Sequence, residues 1–219
     1  MKLKRLLITT IAFVVVSVVI GAVLYPRLPD RIPTHFGLHS VPDGFTAKPL
    51  GVFMTPIVLV VLGLVFAALP RISPKGWGLD SFLSVYEIIA IAVLTVEFVD
   101  GMLRLYQAMG NPLDVHREGT IGIGVLLVVL GNFLGKTTRN FFVGIRTPWT
   151  LASPEVWLRT HRIGGVLFVA GGGVILVHSF VGSGAPYFAL WVIGGIALFL
   201  VVYSYLLYRR IELHGSPSP

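Results

Sequence analysis

The chain contains no cysteine and few charged residues. Without cysteine, a disulfide framework, a zinc–thiolate site and a cysteine nucleophile are all excluded. Only 12% of the 219 residues are charged, whereas soluble domains average about 25%. In their place the chain has hydrophobic residues, which make up 55% of it and give a mean hydropathy of +0.85. This composition excludes intrinsic disorder and argues against a soluble globular protein.

Apolar runs of the length that a bilayer requires recur along the chain. A hydrocarbon core about 30 Å thick needs roughly 20 apolar residues in a helix. The runs predict an all-α integral membrane protein with six transmembrane helices, at residues 6–25, 51–69, 82–103, 121–134, 163–180 and 185–208. The first run is longer than the apolar part of a signal peptide and lacks a small-residue cleavage site, so we expect a retained anchor. The fourth is short, and its length is equally compatible with a re-entrant segment.

The distribution of the 17 Lys and Arg residues decides whether the fourth segment crosses. With six spans and both termini in the cytoplasm, 12 of the 17 lie on the cytoplasmic side. They are Lys2, Lys4, Arg5, Arg71, Lys75, Lys136, Arg139, Arg146, Arg159, Arg162, Arg209 and Arg210. Without the fourth crossing only 5 of the 17 would lie inside, against the positive-inside rule. Six crossings with cytoplasmic N- and C-termini are therefore predicted.

The net charge of +7 also raises the question of a nucleic-acid partner. The basic residues are spread over several segments that flank helices, where the lipid bilayer and its anionic headgroups account for them. We therefore expect no direct nucleic-acid binding.

Two loops carry most of the remaining information. The outer loop, residues 26–49, has five prolines, which prevent a long helix and favour a small ordered cap with a turn at Asp43-Gly44. The inner loop lies between the fourth and fifth spans. There Ser153-Pro154 predicts a helix start, and we expect a short helix to about Thr160 with Trp157 on its apolar side. On composition alone, the loop as a whole is interpreted as an interfacial segment with aromatic belts and snorkelling basic side chains, in preference to a functional surface.

Three sequence runs at the inner loop resemble the SdpI family. They are GNFLGK at 131–136, RNFFVGIRTPWTL at 139–151 and WLRTHRIGG at 157–165. The outer loop, with LPDRIPTHF at 28–36 and a later Asp-Gly-Phe, resembles a small module of unknown function that often precedes SdpI regions. It departs from that module at 37–40, where Gly-Leu-His-Ser replaces a frequent Asn-x-x-Gly stretch.

The resemblance implies a relative of bacterial immunity factors, which protect a producing cell from the secreted toxin SdpC. Its best-known member also signals, by holding an autorepressor at the membrane when toxin is present. The implied partners are thus an extracellular toxin peptide and a cytoplasmic repressor. The implied organisation is a first unit at 1–69, with two spans and the outer module (26–49), and a four-span SdpI-like unit at 70–219, with the inner signature loop (131–165).

The matching motif positions are our candidate ligand- or partner-binding residues. On the inner side these are Asn132, Lys136, Arg139, Asn140, Gly144, Arg146, Thr147, Pro148, Trp149, Trp157, His161 and Arg162. On the outer side they are His35 and Asp43. The sequence contains no HExxH or Walker motif and no Ser/His/Asp order, so we expect neither catalytic residues nor a cofactor.

Four ionisable residues in the third span supply an alternative. Glu87, Glu97, Asp100 and Arg104 fall within about 140° of one helix face, and Asp100 and Arg104 have the spacing of an ion pair. Ionisable groups in a membrane are costly, so they mark either a functional site or buried structural contacts. The functional interpretation is an intramembrane enzyme or transporter that uses these acids.

Histidines and glycines give further hypotheses. His35, His39 and Asp43 have a spacing that suits a metal site, but Gly37 and Pro42 interrupt the helix that would align them, which favours turn-stabilising hydrogen bonds. A histidine at position 178, near the outer end of the fifth span, is typical of an interface. A GxxxG pair at 131 and 135 favours helix packing within the bundle over self-association.

Overall fold

The computed structural model describes residues 3–37, 41–181 and 186–214. Its helices are α1 (Lys4–Leu24), α2 (Lys48–Ile72), α3 (Leu83–Ala108), α4 (Val115–Leu134), α5 (Pro148–Ala152), α6 (Pro154–Val181) and α7 (Pro186–His214). Strands β1 (Arg31–Phe36) and β2 (Pro42–Ala47) and 3-10 turns at Tyr25–Arg27 and Asp80–Phe82 lie between them. In this described part, all helices but α5 are long and apolar enough to cross a membrane, six in total. The six-span fold is therefore confirmed, while the cytoplasmic position of the termini stays a prediction.

The fourth span is longer than its apolar run indicates. Helix α4 begins at Val115, ahead of the predicted 121–134, and is 20 residues long. Its first turn is polar, and the carboxylate of Asp114 caps it by accepting the backbone N–H of Arg117 at 3.2 Å. Acidic groups at a helix N-terminus are stabilising, so the polar residues extend the helix instead of ending it. A helix of this length spans about 30 Å, enough for a full crossing.

The inner helix that was predicted to end near Thr160 continues into the fifth span, so this boundary was wrong. Helix α6 runs unbroken from Pro154 to Val181 over 28 residues. Its start is as predicted, because Ser153 Oγ accepts the N–H of Val156 at 3.4 Å. No proline follows in residues 155–181, so nothing interrupts the helix before the apolar span begins.

The ordered cap of the outer loop is a β-hairpin, an addition to the all-α prediction. Strands β1 and β2 pair antiparallel, with Arg31 opposite Ala47 and Ile32 opposite Thr46. The side chain of Ile32 is 1% exposed and packs with Leu28, Val52, Leu105 and Ala108. This small core attaches the hairpin to α2 and α3. His116 in α4 adds a further link, because its Nε2 lies 2.6 Å from the carbonyl oxygen of Gly37.

Asp43-Gly44 lies within strand β2 and does not form the predicted turn. Gly44 stands opposite His35, where the register of the hairpin shifts. A Cβ at Gly44 would lie 2.8 Å from the Cβ of His35. The glycine therefore permits close approach of the two strands at an irregularity of the hairpin. Close approach is a common reason for glycine in a strand, as a turn is in a loop.

The two ends of the bundle are named by the segments that lie there. We call the end with residues 71–82 and 136–153 the inner end, and the end with the hairpin the outer end. At the inner end, Phe142 and Val143 pack against a core that joins α1, α2 and α3. Ser81 Oγ lies 2.6 Å from Thr138 Oγ1 in the same region. The two loops that the charge distribution assigns to one side are thus in contact.

Helices α4 and α6 approach closely where glycines face each other. A Cβ on Gly131 would lie 2.6 Å from the carbonyl oxygen of Gly165, and a Cβ on Gly172 would lie 2.7 Å from that of Gly124. Real Cβ atoms do not approach this closely, so both crossings require glycine. The GxxxG residue Gly131 therefore packs inside the bundle.

Candidate functional site

Asn140 holds the turn that opens the inner signature loop. Its side chain is completely buried, and Oδ1 accepts the N–H groups of Phe142 (2.8 Å) and Val143 (2.7 Å). Its Nδ2 donates to the carbonyl oxygens of Thr138 (2.9 Å) and Val143 (2.8 Å). An amide supplies both donors and acceptors from one short side chain, which neither Asp nor a hydrophobic residue does.

Trp157 and His161 form a buried ring pair beneath this turn. Their ring centroids lie 3.9 Å apart with the planes 17° from parallel. The indole N–H of Trp157 donates to the carbonyl oxygen of Thr137 at 2.9 Å. His161 Nε2 accepts the N–H of Ile145 at 2.9 Å, and Nδ1 lies 2.8 Å from the carbonyl oxygen of Trp157. These partners select the neutral imidazole with its proton on Nδ1.

Gly144 lets the backbone pass over the ring pair. Its φ of 121° is a conformation that side-chain-bearing residues rarely adopt. A Cβ there would overlap His161 Nε2 and lie 3.2 Å from the Trp157 ring. Conformation and space both exclude a side chain at this position.

The Thr-Pro-Trp-Thr segment forms the short helix α5 and ties the loop to α7. Thr147 Oγ1 accepts the N–H of Thr150 at 3.2 Å, and Thr150 Oγ1 accepts the N–H of Thr147 at 2.9 Å. This reciprocal cap precedes Pro148, whose missing N–H costs nothing in the first turn. Thr147 Oγ1 also lies 3.1 Å from Ser204 Oγ of α7.

The aromatic ring of Trp149 continues this contact with α7. Its centroid lies 5.0 Å from that of Tyr205, with the planes tilted by 58°. Trp149 is half-buried. The tryptophans of the loop therefore pack against protein, which corrects the prediction of an interfacial aromatic belt.

The basic residues of the loop differ in their exposure and in their contacts within the protein. The guanidinium of Arg139 donates to the carbonyl oxygen of Leu151 at 3.0 Å and lies 4.9 Å from the Trp77 ring centroid. Arg146 donates to the carbonyl oxygen of Phe141 and is exposed. Lys136 is exposed too, with Nζ 4.8 Å from the Phe133 ring centroid. Arg139 therefore joins parts of the loop together, whereas Arg146 and Lys136 face outward.

The structure thus brings the inner candidates together and divides them by burial. The buried ones are Asn140, Thr147, Trp157 and His161. The exposed ones are Asn132, Lys136, Gly144, Arg146, Pro148 and Arg162, and Arg139 and Trp149 are intermediate. The buried group shapes the loop, and the exposed group lies on its surface.

The outer candidates His35 and Asp43 pair across the hairpin. Nδ1 and Oδ1 lie 2.5 Å apart, and both side chains are largely exposed. His39 lies outside the described residues. Among the residues that the structure does describe, no three His, Cys, Asp or Glu side chains group as metal ligands would.

The ionisable residues of the third span separate into two places. Arg104 lies 3.1 Å from Glu97 and 3.3 Å from Asp100, so the predicted ion pair is present and is part of a triad. Glu87 is buried elsewhere, where Oε1 accepts the N–H of Leu6 at 3.3 Å. That N–H is one of the free donors at the start of α1, and a helix N-terminus favours a negative charge.

The histidine near the outer end of the fifth span packs against the last helix. The ring of His178 stacks on that of Phe188 with centroids 4.0 Å apart. Its Nε2 is buried without a hydrogen-bond partner among the described atoms.

Three polar residues of the site escaped the sequence reasoning. Thr137, Thr150 and Ser204 are buried and hydrogen-bonded within or against the loop. Thr150 had a signal, because Thr-x-x-Thr around a Pro at the first helical position resembles a capping box. Ser204 lies in an apolar run, where nothing in the sequence marks it as a partner of the loop.

The fold and the site define a multi-pass membrane protein with a rigid, hydrogen-bonded loop at one end of its bundle. The model of the SdpI/YfhL protein family matches residues 136–205, and that of a domain of unknown function (DUF1648) matches residues 12–60. The Immunity protein SdpI of Bacillus subtilis (strain 168) is 29% identical over 213 residues, which cover 95% of this chain and 98% of that protein. No solved structure matches the chain.

These matches confirm the resemblance to the SdpI family seen in the motifs: the chain is similar to an SdpI immunity protein along almost its whole length. It is accordingly a multi-pass protein of the bacterial cytoplasmic membrane.

Proposed function

We propose that the chain gives immunity to a secreted toxic peptide. The observation that carries this proposal is the likeness to the Bacillus subtilis immunity protein over 95% of the chain, which includes the outer hairpin as well as the inner loop. An immunity protein in the membrane must meet its toxin at the outer face. We assign that contact to the hairpin, in the unit 1–69.

The hairpin has the surface that such a contact needs. Val41 and Phe45 are 62% and 53% exposed, and the exposed His35–Asp43 pair lies on the same two strands. Apolar side chains beside a few polar groups favour binding of a peptide that is itself apolar. The packing of Ile32 beneath the hairpin keeps this surface in place.

Survival of a toxin-sensitive bacterium tests immunity. Cells that express the chain should survive SdpC-type toxin, and Phe45→Ser should lower survival because it removes an exposed contact. Phe141→Ser is the matched control, since Phe141 is also exposed but lies at the inner end. Equal killing of cells with and without the chain, at equal membrane expression, would refute immunity.

We also propose that the unit 70–219 signals through its inner loop to a cytoplasmic repressor. Arg146 is exposed and Trp149 half-buried on a loop that Asn140 and His161 hold rigid. A rigid surface binds a partner with little loss of conformational entropy. The charge distribution, which predicts this loop inside the cell, supports the same assignment.

Recruitment of the repressor tests the signalling proposal. A fluorescent repressor should move to the membrane in toxin-treated cells, and Arg146→Gln or Trp149→Ala should abolish the movement. Arg159→Gln is the control, because Arg159 is exposed and pairs with Glu155 on the same helix at 2.5 Å. Full recruitment by both loop variants would exclude the loop as the reporter, and would leave immunity untouched.

The intramembrane enzyme or transporter stays a prediction. Glu97, Asp100 and Glu87 each have a partner inside the protein, so nothing in their contacts requires a substrate. Loss of the phenotype in Glu97→Gln, with a bound metal in the purified protein, would favour it.

A further inference from the structure

A groove leads from the inner signature loop into the membrane-spanning part. It has a volume of about 250 Å³, which is below the usual range of small-molecule sites and suits one part of a larger molecule. Its walls come from α4, α6 and α7, with Leu127, Phe168, Ile193, Ile196 and Leu200 among them. Ile145, Arg146 and Thr147 of the loop lie at one end. The groove therefore has an apolar length and a polar, cationic end.

The direction of the groove follows from its lining residues on α7. Ile193 and Val201 both line it, and eight residues of helix correspond to about 12 Å along the axis. The neighbouring Leu198 and Phe199 are exposed on the surface of the helix, where a membrane protein meets lipid. A groove of this length, parallel to a transmembrane helix and open beside it, accepts a hydrocarbon chain.

Arg146 gives the groove its charge. A guanidinium carries five N–H donors, and the one hydrogen bond described for this side chain goes to the carbonyl oxygen of Phe141. The remaining donors suit the two oxygens of a phosphate diester, which arginine binds in a bidentate manner. Ile145 and Thr147 on either side are fixed by His161 Nε2 and Ser204 Oγ, so Arg146 is held at the mouth.

A second cavity at the inner end also has an arginine in its lining, but its charge is different. It has about 460 Å³ and is lined by Arg71 among apolar residues, but also by Asp80. A carboxylate in the lining of a cavity repels a phosphate. Among the described residues that line the first groove, Arg146 is the only charged one.

We propose that this groove binds one anionic phospholipid, with an acyl chain along α7 and the phosphate on Arg146. Basic sites between transmembrane helices on the cytoplasmic side are suited to anionic headgroups. The lipid would cross-link the loop to α7 at the contact of Thr147 with Ser204. This inference needs neither the toxin nor the repressor, and it is tested on the purified chain alone.

Native mass spectrometry of the detergent-purified full chain provides the test. Phosphatidylglycerol and phosphatidylcholine with identical acyl chains are titrated separately, and we expect one phosphatidylglycerol to bind at least ~5-fold more tightly, a modest value for one charge-assisted contact. Arg146→Gln should remove the preference, while Arg146→Lys should retain part of it. Ala197→Phe should abolish the bound lipid altogether, because Ala197 lines the groove and is exposed to receive a larger side chain.

Two matched controls separate the groove from general effects. Arg159→Gln removes an exposed cation of the same inner end. Leu198→Phe enlarges an exposed side chain next to Ala197, and Leu198 does not line the groove. Both should bind as the wild type does. Competition by inorganic phosphate alone, at the affinity of the lipid, would overturn the acyl-chain part of the proposal. Unchanged preference in Arg146→Gln, unchanged binding in Ala197→Phe, or an apolar peptide that binds there in place of lipid would overturn the whole.

Discussion

Asn140→Ala should open the inner signature loop while all six spans remain folded. The substitution removes four hydrogen bonds of 2.7 to 2.9 Å from a buried turn. Each contributes about 0.5–1.5 kcal/mol net. Because water reaches the freed backbone groups at the inner end, we expect the lower half of the sum, about 2–4 kcal/mol. All four bonds are local to residues 138–143, so the loss should be local too.

Hydrogen exchange of the segment 138–147 in detergent-purified protein measures this loss. About 2–4 kcal/mol corresponds to a roughly 30- to 700-fold fall in protection if opening is local. Asn140→Asp should be at least as damaging, because it replaces the Nδ2 group, which donates two hydrogen bonds, by one oxygen that faces the carbonyls of Thr138 and Val143.

Asn132→Ala is the control for both variants. Asn132 belongs to the same family motifs, but it is exposed and makes one hydrogen bond, to the carbonyl oxygen of Val128. We expect a change within about 0.5 kcal/mol. If Asn140→Ala exchanged like the wild type or like Asn132→Ala, the role given to its amide would be wrong.

Three further predictions concern other parts of the bundle. Gly144→Ala should lower the free energy of unfolding by about 2 kcal/mol or more, and with it the thermal midpoint and the folded yield, because φ is 121° and the His161 ring lies behind it. Gly119→Ala is the control, since no atom lies within 4 Å of its Cβ, and it should be neutral or stabilising. Equal losses in the two variants would contradict this prediction. Arg104→Gln should destabilise the outer end by about 1–3 kcal/mol, because the carboxylates of Glu97 and Asp100 lose their partner. Adding Glu97→Gln to this variant should restore part of the stability in a denaturation assay. Additive losses from the two substitutions would argue against the triad. Trp157→Phe should cost about 1 kcal/mol for one indole hydrogen bond, whereas a loss as large as that of Trp157→Leu would show that stacking contributes little.

The sequence predicts the helices well, because the bilayer limits the choice of structure. Apolar length and the positions of basic residues together indicate six crossings, including the weak fourth one. The boundaries fail where polar residues continue a helix, as at Val115 and through Thr160. Composition separates apolar from polar stretches, whereas a helix ends only where a breaker or a competing contact ends it.

The hairpin and the interior of the site are harder to predict, because they depend on contacts between distant residues. Five prolines exclude a long helix in the outer loop, but the pairing of Ile32 with Thr46 is a tertiary fact. The family motifs mark which inner residues matter without showing that Asn140 and His161 are buried while Arg146 is exposed. Burial of a polar side chain is decided by its hydrogen-bond partners, and those come from separate segments of the chain.

The glycine contacts between α4 and α6 restrict how this protein changes shape. At Gly131 with Gly165 and at Gly124 with Gly172 the two backbones touch, so neither helix slides past the other without a clash. The pair must therefore move as one body, and any rearrangement between the two faces of the membrane occurs at its borders with α3 and α7. His161 lies one helical turn from Gly165, so a methyl group added at that crossing would also disturb the ring pair. A defect introduced where α6 enters the membrane should thus be detectable as loss of order in the loop.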